Sequence, residues 1–234
     1  MPECHSTNSL ALELCQQKSV PEGTLVISSE QIAGRGQFGN TWESQPGMNL
    51  TFSLILKPAF LAVRDQFFLN MIASLGVRDY LAETCTASIH IKWPNDIFAN
   101  EFKICGILIE NQVMSQRFTH VVMGIGLNVN QEQFTSPKAT SLSRITHQPY
   151  DLQEVLEGLL MKLEARYFQL RQNRLSELQE DYLKYMYRLN EEHTFIADQK
   201  QFKGKISGVD EYGRLKVLIH DQEKIFGVRE ISFG

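Results

Sequence analysis

The sequence has no pair of cysteines close enough to serve as a metal knuckle or a redox centre. Its four cysteines, Cys4, Cys15, Cys85 and Cys105, are scattered and none forms C-x-x-C, so they read as small buried hydrophobes and not as a disulfide scaffold. No apolar run approaches the ~20 residues that span a bilayer. The first residues, MPECHSTNSLALELCQQK, lack a basic segment followed by an apolar core and cleavage site, so the expectation is a cytosolic chain with no membrane partner. A basic excess is missing too: 23 Lys and Arg stand against 27 Asp and Glu, a net charge of −4, which argues against a dominant electrostatic grip on nucleic acid. Internal repeats and low-complexity segments are absent.

What is present is an ordinary globular composition, 43% hydrophobic and 21% charged over 234 residues, enough for one large core or a main domain with a small appendage. LALELCQQ (Leu10 to Gln17) reads as a short helix behind the polar tripeptide Ser6-Thr7-Asn8, which can cap it. NLTFSLILKP alternates Leu50, Phe52, Leu54 and Leu56 against Thr51, Ser53 and Lys57, a strand with one face on a core. Gln66 to Ala82 is apolar at helical spacing. SIHIKW alternates again, and KICGILIENQV and HVVMGIGLNVN are β-branched strands that each carry glycine. Residues 131–150 read as an irregular loop. DLQE at Asp151 to Glu154 has the form of a capping box opening a helix, and a second helix is expected from about Ser176 to Tyr187. After Asn190 short strands split by Gly and Asp turns read as a small β-barrel. The division expected is a body of residues 1–187 and a barrel of residues 188–234.

Two clusters carry chemistry. QIAGRGQFGNTWES, Gln31 to Ser44, matches G-x-G-x-x-G at Gly34, Gly36 and Gly39. A dinucleotide fingerprint would continue into a helix and meet an acid about twenty residues on. Here turn-forming residues Asn40, Pro46, Gly47 and Asn49 follow, and no Asp or Glu occurs between Glu43 and Asp65. The second cluster is KWPND, Lys92 to Asp96, where a strand ends and presents Asn95 and Asp96 at its tip. Lys103 begins another strand nearby, so Lys92, Asp96 and Lys103 can share one end of a sheet with the arginine-bearing loop, a plausible phosphate site. Either lysine alone would read as ordinary solvated surface.

On STN (Ser6 to Asn8), GRGQFGNTW (Gly34 to Trp42), KWPND with Lys103 and GILIE (Gly106 to Glu110), and GIGLNVN (Gly124 to Asn130), in that order, the chain resembles the biotin protein ligases along nearly its whole length. The resemblance implies an α+β fold: a mixed β-sheet catalytic domain related to class II aminoacyl-tRNA synthetases, with a C-terminal SH3-like β-barrel. It implies that biotin, ATP and Mg²⁺ give biotinyl-5′-AMP, from which biotin passes to a lysine of a biotin carboxyl carrier domain. By matched position, Ser6, Thr7, Asn8, Gln31, Gly34, Arg35, Gly36, Lys103 and Gly106 would hold biotin. Arg35, Gln37, Trp42, Lys92, Asn95, Lys103 and Asn128 would hold ATP or the adenylate, and Lys103, Asp96 and Arg35 would be catalytic. No metal ligand is assigned. The glycine loop becomes a mobile cover that shields a hydrolysable anhydride.

Two departures from the resemblance stand out. Many relatives carry arginines after the second glycine, whereas Gln37 and Phe38 stand here and leave Arg35 the loop's single cation. Only five residues precede Ser6, so the helix-turn-helix domain of some members has no room and no operator binding is expected. A homodimer through a sheet edge is compatible with this reading. The alternatives are a lipoate or octanoate protein ligase, a non-catalytic sensor of biotin or its adenylate, and an RNA-binding protein.

Overall fold

A computed structural model describes residues 1–17 and 19–234. In chain order the elements are β1 (Glu3–Cys4), α1 (Thr7–Gln17), β2 (Thr24–Ser28), β3 (Glu30–Gln31), β4 (Leu50–Leu56), α2 (Phe67–Thr84), β5 (Ile89–Lys92), β6 (Asp96–Ala99), β7 (Phe102–Met114), β8 (Arg117–Leu127), α3 (Leu142–Thr146), α4 (Leu152–Arg171), α5 (Leu175–Lys184), β9 (Glu192–Ala197), β10 (Lys200–Val209), β11 (Leu215–Ile219), β12 (Gln222–Phe226) and β13 (Ser232–Phe233).

Six strands form one sheet in the order β2-β4-β8-β7-β6-β5. The expected mixed sheet is corrected here, because every neighbouring pair in it is antiparallel. Helix α2 carries the chain from β4 across the sheet to β5, which runs in the same direction but is not its neighbour, and β5 to β8 then follow one another through turns. Among the described residues, parallel ladder pairing is confined to β1 with β3, beside some isolated bridges.

The alternation in β4 sends Phe52 and Leu56 to a large core shared with α2, α4 and α5, while Ile55 joins Val26 and Val122 under α1. The sheet is thus covered on both faces. Ser53, expected on an open polar face, is fully buried against α1. Helix α1 begins at Thr7 and not at Leu10, because Ser6 accepts the first helical hydrogen bond from Leu10 N–H. Asp151 caps α4 by accepting from the N–H groups of Gln153 and Glu154, as its sequence form predicts. The segment read as an irregular loop holds one short helix, α3, capped by Ser141.

The C-terminal strands pair antiparallel in the order β12-β11-β10-β9-β13. The two edge strands do not pair with each other, so this unit is an open five-stranded sheet and not a hydrogen-bonded closed barrel, which corrects the barrel reading. Asp198-Gln199 and His220-Asp221 make its two-residue hairpins with both residues at positive φ, the twist that hairpin strands favour. The unit docks on the body where Trp93 Nε1–H donates to Gly213 O at 2.8 Å and Gly213 lies against Phe67.

Candidate active site

On the α1 face of the large sheet, beside α1, lies a cavity of about 270 Å³. Its floor is made by the paired strands β7 and β8, where Gly106 faces Gly126 and Leu108 faces Gly124. A methyl added at Gly126 would overlap the Trp42 indole, and one at Gly106 would come within 2.9 Å of it. Gly124 leaves the space that the Asn8 amide occupies. Bare backbone in two central strands therefore lets an indole and an amide lie directly on the sheet.

One wall is the start of α1. Ser6, Thr7 and Asn8 are all buried. The Thr7 N–H and hydroxyl both donate to Gln31 Oε1, at 2.7 and 3.1 Å, which fixes the Gln31 amide orientation because a backbone N–H can only donate. Ser53 Oγ lies 2.8 Å from Thr7 Oγ1 and 2.6 Å from Asn8 Oδ1. Asn8 Nδ2 donates to Leu108 O and Glu110 Oε2.

The opposite wall is the glycine loop, which forms a tight hairpin. Gly36 N–H donates to Asn40 O and Trp42 N–H to Gly34 O. Gly34 sits where a Cβ would come within 2.6 Å of the Trp42 carbonyl, so the hairpin closes only with glycine there. Phe38 and Gly39 at the tip have φ of 58° and 82°. Arg35 bonds Glu110 through two nitrogens, at 3.2 and 2.7 Å, and Ser9 through one.

The third side is the KWPND turn. Asn95 is tied to β7, its side-chain amide donating to Ile107 O at 2.6 Å and its backbone carbonyl accepting from Ile107 N–H. Asp96 accepts an ion pair from Lys103 Nζ at 2.6 Å, and that ammonium stands 5.6 Å from the Trp42 ring. A β-bulge brings this about. Ile97 faces Cys105 while Phe98 faces Lys103, so Ile104 is an extra residue in β7. Without it, strand alternation would set Lys103 on the face opposite Gly106; with it, the Lys103 stem packs 3.4 Å from the Gly106 Cβ direction, on the cavity side.

The cavity is lined by Ser6, Thr7, Asn8, Gln31, Arg35, Gly36, Gln37, Trp42, Asn95, Asp96, Lys103 and Gly106, all expected from sequence. Gly34 supports the hairpin from behind. Two expected residues lie elsewhere. Lys92 Nζ is 4.7 Å from the rings of both Phe98 and Phe233, and burial holds its ammonium below the usual lysine range, with Asp96 opposing that shift. Asn128 is buried in the core edge, donating to Thr140 O. Cysteine chemistry has no foothold beneath the floor, since burial pushes the Cys105 thiol far up.

Sequence reasoning missed Ser53, Gly124, Gly126 and Arg229. The glycine pair was legible as period-2 glycines within a strand. Arg229, in the turn after β12, lines the cavity from the C-terminal sheet with no local pattern to announce it. Among the described residues no group of three or more His, Cys, Asp or Glu stands together to hold a metal ion, and no helix is long and apolar enough to cross a membrane.

The comparisons agree with this geometry. Residues 2–128 match the model of the Biotin/lipoate A/B protein ligase family. The bifunctional ligase/repressor BirA of Bacillus subtilis is 32% identical over 98% of this chain and 71% of its own length. The biotin–[acetyl-CoA-carboxylase] ligase of Paracoccus denitrificans is 29% identical over 98% and 97%. The biotin protein ligase from Aquifex aeolicus in complex with biotin and ATP superposes with a TM-score of 0.83 at 28% identity, covering 100% of this chain and 97% of that one. With the polar pocket, the glycine floor and the lysine–aspartate pair in one cavity, the chain belongs to the biotin/lipoate A/B protein ligase family, among its biotin protein ligases.

Proposed function

We propose that this enzyme uses ATP to attach biotin, through biotinyl-5′-AMP, to one lysine of a biotin carboxyl carrier domain. The observation that carries this reading is the Lys103–Asp96 ion pair set in the same cavity as the buried polar group of Ser6, Thr7 and Gln31. Bicyclic biotin needs donors and acceptors for its ureido end and an apolar bed for the rest. The Gln31 Nε2 and the Ser6 hydroxyl, which have no protein partner among the described residues, and the glycine floor beneath Trp42 meet those needs.

In the first step a biotin carboxylate oxygen bonds to the α-phosphorus of ATP, the bond to the β-phosphate oxygen breaks, and pyrophosphate leaves. In the second a carrier lysine nitrogen bonds to the acyl carbon, the bond to the AMP oxygen breaks, and AMP leaves. Lys103 stabilises charge that grows on the carboxylate and α-phosphate oxygens in both steps. Asp96, beside it, takes the proton from the incoming amine, a group whose free pKa of about 10.4 makes it a poor nucleophile at neutral pH. Arg35 stays at the hairpin root and meets the phosphates on exchange of its partner Glu110. Asn95 and Gln37 flank the adenylate, while Lys92 and Asn128 support the site from outside the cavity. Among the described residues no carboxylate cage for Mg²⁺ is formed, and on this reading the ion arrives with the ATP phosphates. Residues 1–187 act as the catalytic domain, related to the class II aminoacyl-tRNA synthetase fold, and residues 188–234 as an SH3-like unit.

The test is mass spectrometry of a biotin carboxyl carrier domain incubated with the protein, ATP, Mg²⁺ and biotin. One biotin-sized adduct is expected on a single lysine. Lys103→Ala should slow its appearance by at least ~100-fold. Equal labelling by that variant removes the role of Lys103, and transfer of lipoate in a parallel reaction would favour the lipoate ligase reading.

A further inference from the structure

Three cations line the cavity: Arg35, Lys103 and Arg229. The first two are paired with carboxylates, Glu110 and Asp96. Arg229 has no acidic partner among the described residues. Its guanidinium instead lies over the Phe38 ring, Cζ 4.0 Å from the centroid, and its Nη2 donates to Phe38 O at 3.0 Å. Both contacts fall on the tip of the glycine hairpin, 191 residues away in sequence.

The hairpin is otherwise tied to the body at its root, through Arg35 to Glu110 and through Trp42 on the glycine floor. Phe38 is 53% exposed, so little burial holds the tip. Phe38 and Arg229 also both occupy the left-handed region, at φ 58° and 78°, which disfavours residues with a Cβ and persists where surrounding contacts hold it. The turn bearing Arg229 is fastened on its own side: Gly227 N–H donates to Glu230 Oε2 at 2.6 Å, and Val228 bridges Ile231. A fastened turn on one unit thus grips an exposed tip on the other by a stack and a charged hydrogen bond.

We propose that Arg229 is a positioning residue that clasps the glycine hairpin over the cavity, so that the C-terminal sheet governs how long the adenylate stays enclosed. The proposal rests on the ligase reading above for its ligand, and on geometry alone for the clasp. An opened hairpin admits water to the mixed anhydride; water oxygen then bonds to the acyl carbon, the bond to AMP breaks, and free biotin and AMP leave.

The experiment compares wild type with Arg229→Ala, Phe38→Ala, the double variant and Arg229→Lys. The steady release of AMP without any carrier, after the first adenylate has formed, should rise about tenfold in each single alanine variant, since each removes the stack. The double variant should leak no faster than Arg229→Ala, because that change already removes both the stack on Phe38 and the hydrogen bond to its backbone carbonyl. Arg229→Lys, which keeps the charge but loses the planar fork, should fall between wild type and alanine. Hydrogen exchange over residues 34–42 of the free protein should be faster in Arg229→Ala than in wild type, with equal thermal midpoints. Unchanged leakage in Arg229→Ala, or a double variant that leaks clearly faster than Arg229→Ala, would overturn the clasp. If the wild type makes no AMP from biotin and ATP, the ligase reading fails; the exchange measurement then decides the clasp by itself, and equal exchange would sink it.

Discussion

The two walls of the cavity are built by opposite means. The α1 wall is sunk into the protein: Ser6, Thr7 and Asn8 are 3%, 4% and 3% exposed, and Thr7 and Asn8 are linked to Ser53, Gln31, Leu108 and Glu110. The hairpin wall projects into solvent, its backbone bonding to itself, and is held at its root by Arg35 on Glu110 and Ser9 and met at its tip by one arginine from another sheet. A buried polar network costs most when half made, so its members stand or fall together and hold a fixed shape. An exposed hairpin with few external contacts can open and close at little cost. One wall is therefore suited to recognising a ligand and the other to admitting and shielding it.

The comparison can be broken most forcefully at Asn8. Asn8→Ala removes the donor to Leu108 O and Glu110 and the acceptor beside Ser53, leaving buried groups unpaired. We expect a stability loss of about 2–3 kcal/mol in urea unfolding, with no rescue by ligand. A loss comparable with that of an exposed hairpin residue would show that the α1 wall is not a network. Next comes Gly126→Ala, whose methyl would overlap the Trp42 indole and lift the hairpin root off the sheet. Overpacking there should cost about 1–3 kcal/mol, read as a ten- to hundredfold fall in carrier labelling. Near wild-type labelling would mean that Trp42 need not lie on the glycine floor.

The same contrast explains what could be read in advance. Turn residues after Gly39 were enough to reject a helix, because turn chemistry is local, whereas the hairpin that the loop forms was not announced. The strands holding Phe52, Ile91 and Ile125 and the cap at Asp151 were legible for the same reason. The lysines of the KWPND region were not separable. Lys92 and Lys103 look alike in sequence, and only the extra residue Ile104 turns Lys103 into the cavity while Lys92 settles between Phe98 and Phe233. A bulge depends on the register of two strands, which single-sequence periodicity does not carry. Strand direction and barrel closure failed likewise, since both are matters of which edges meet. Arg229 on Phe38 is the extreme case, a contact with no local signature at either end.

Glu110 sharpens the comparison because it touches both walls, accepting from buried Asn8 and from half-exposed Arg35. Glu110→Gln keeps an acceptor for Asn8 and removes the charge that Arg35 pairs with. If the hairpin root belongs to the exposed wall, the ion pair is screened, since the Arg35 side chain is 44% exposed, and the stability change should stay under ~1 kcal/mol. That difference should shrink further as salt rises from low to about 0.5 M, while the effect of Asn8→Ala stays constant. Urea midpoints of the three proteins at both salt levels decide the matter. A loss of Asn8→Ala size that ignores salt would move the root of the hairpin into the buried wall, leaving only the tip at Phe38 free to open.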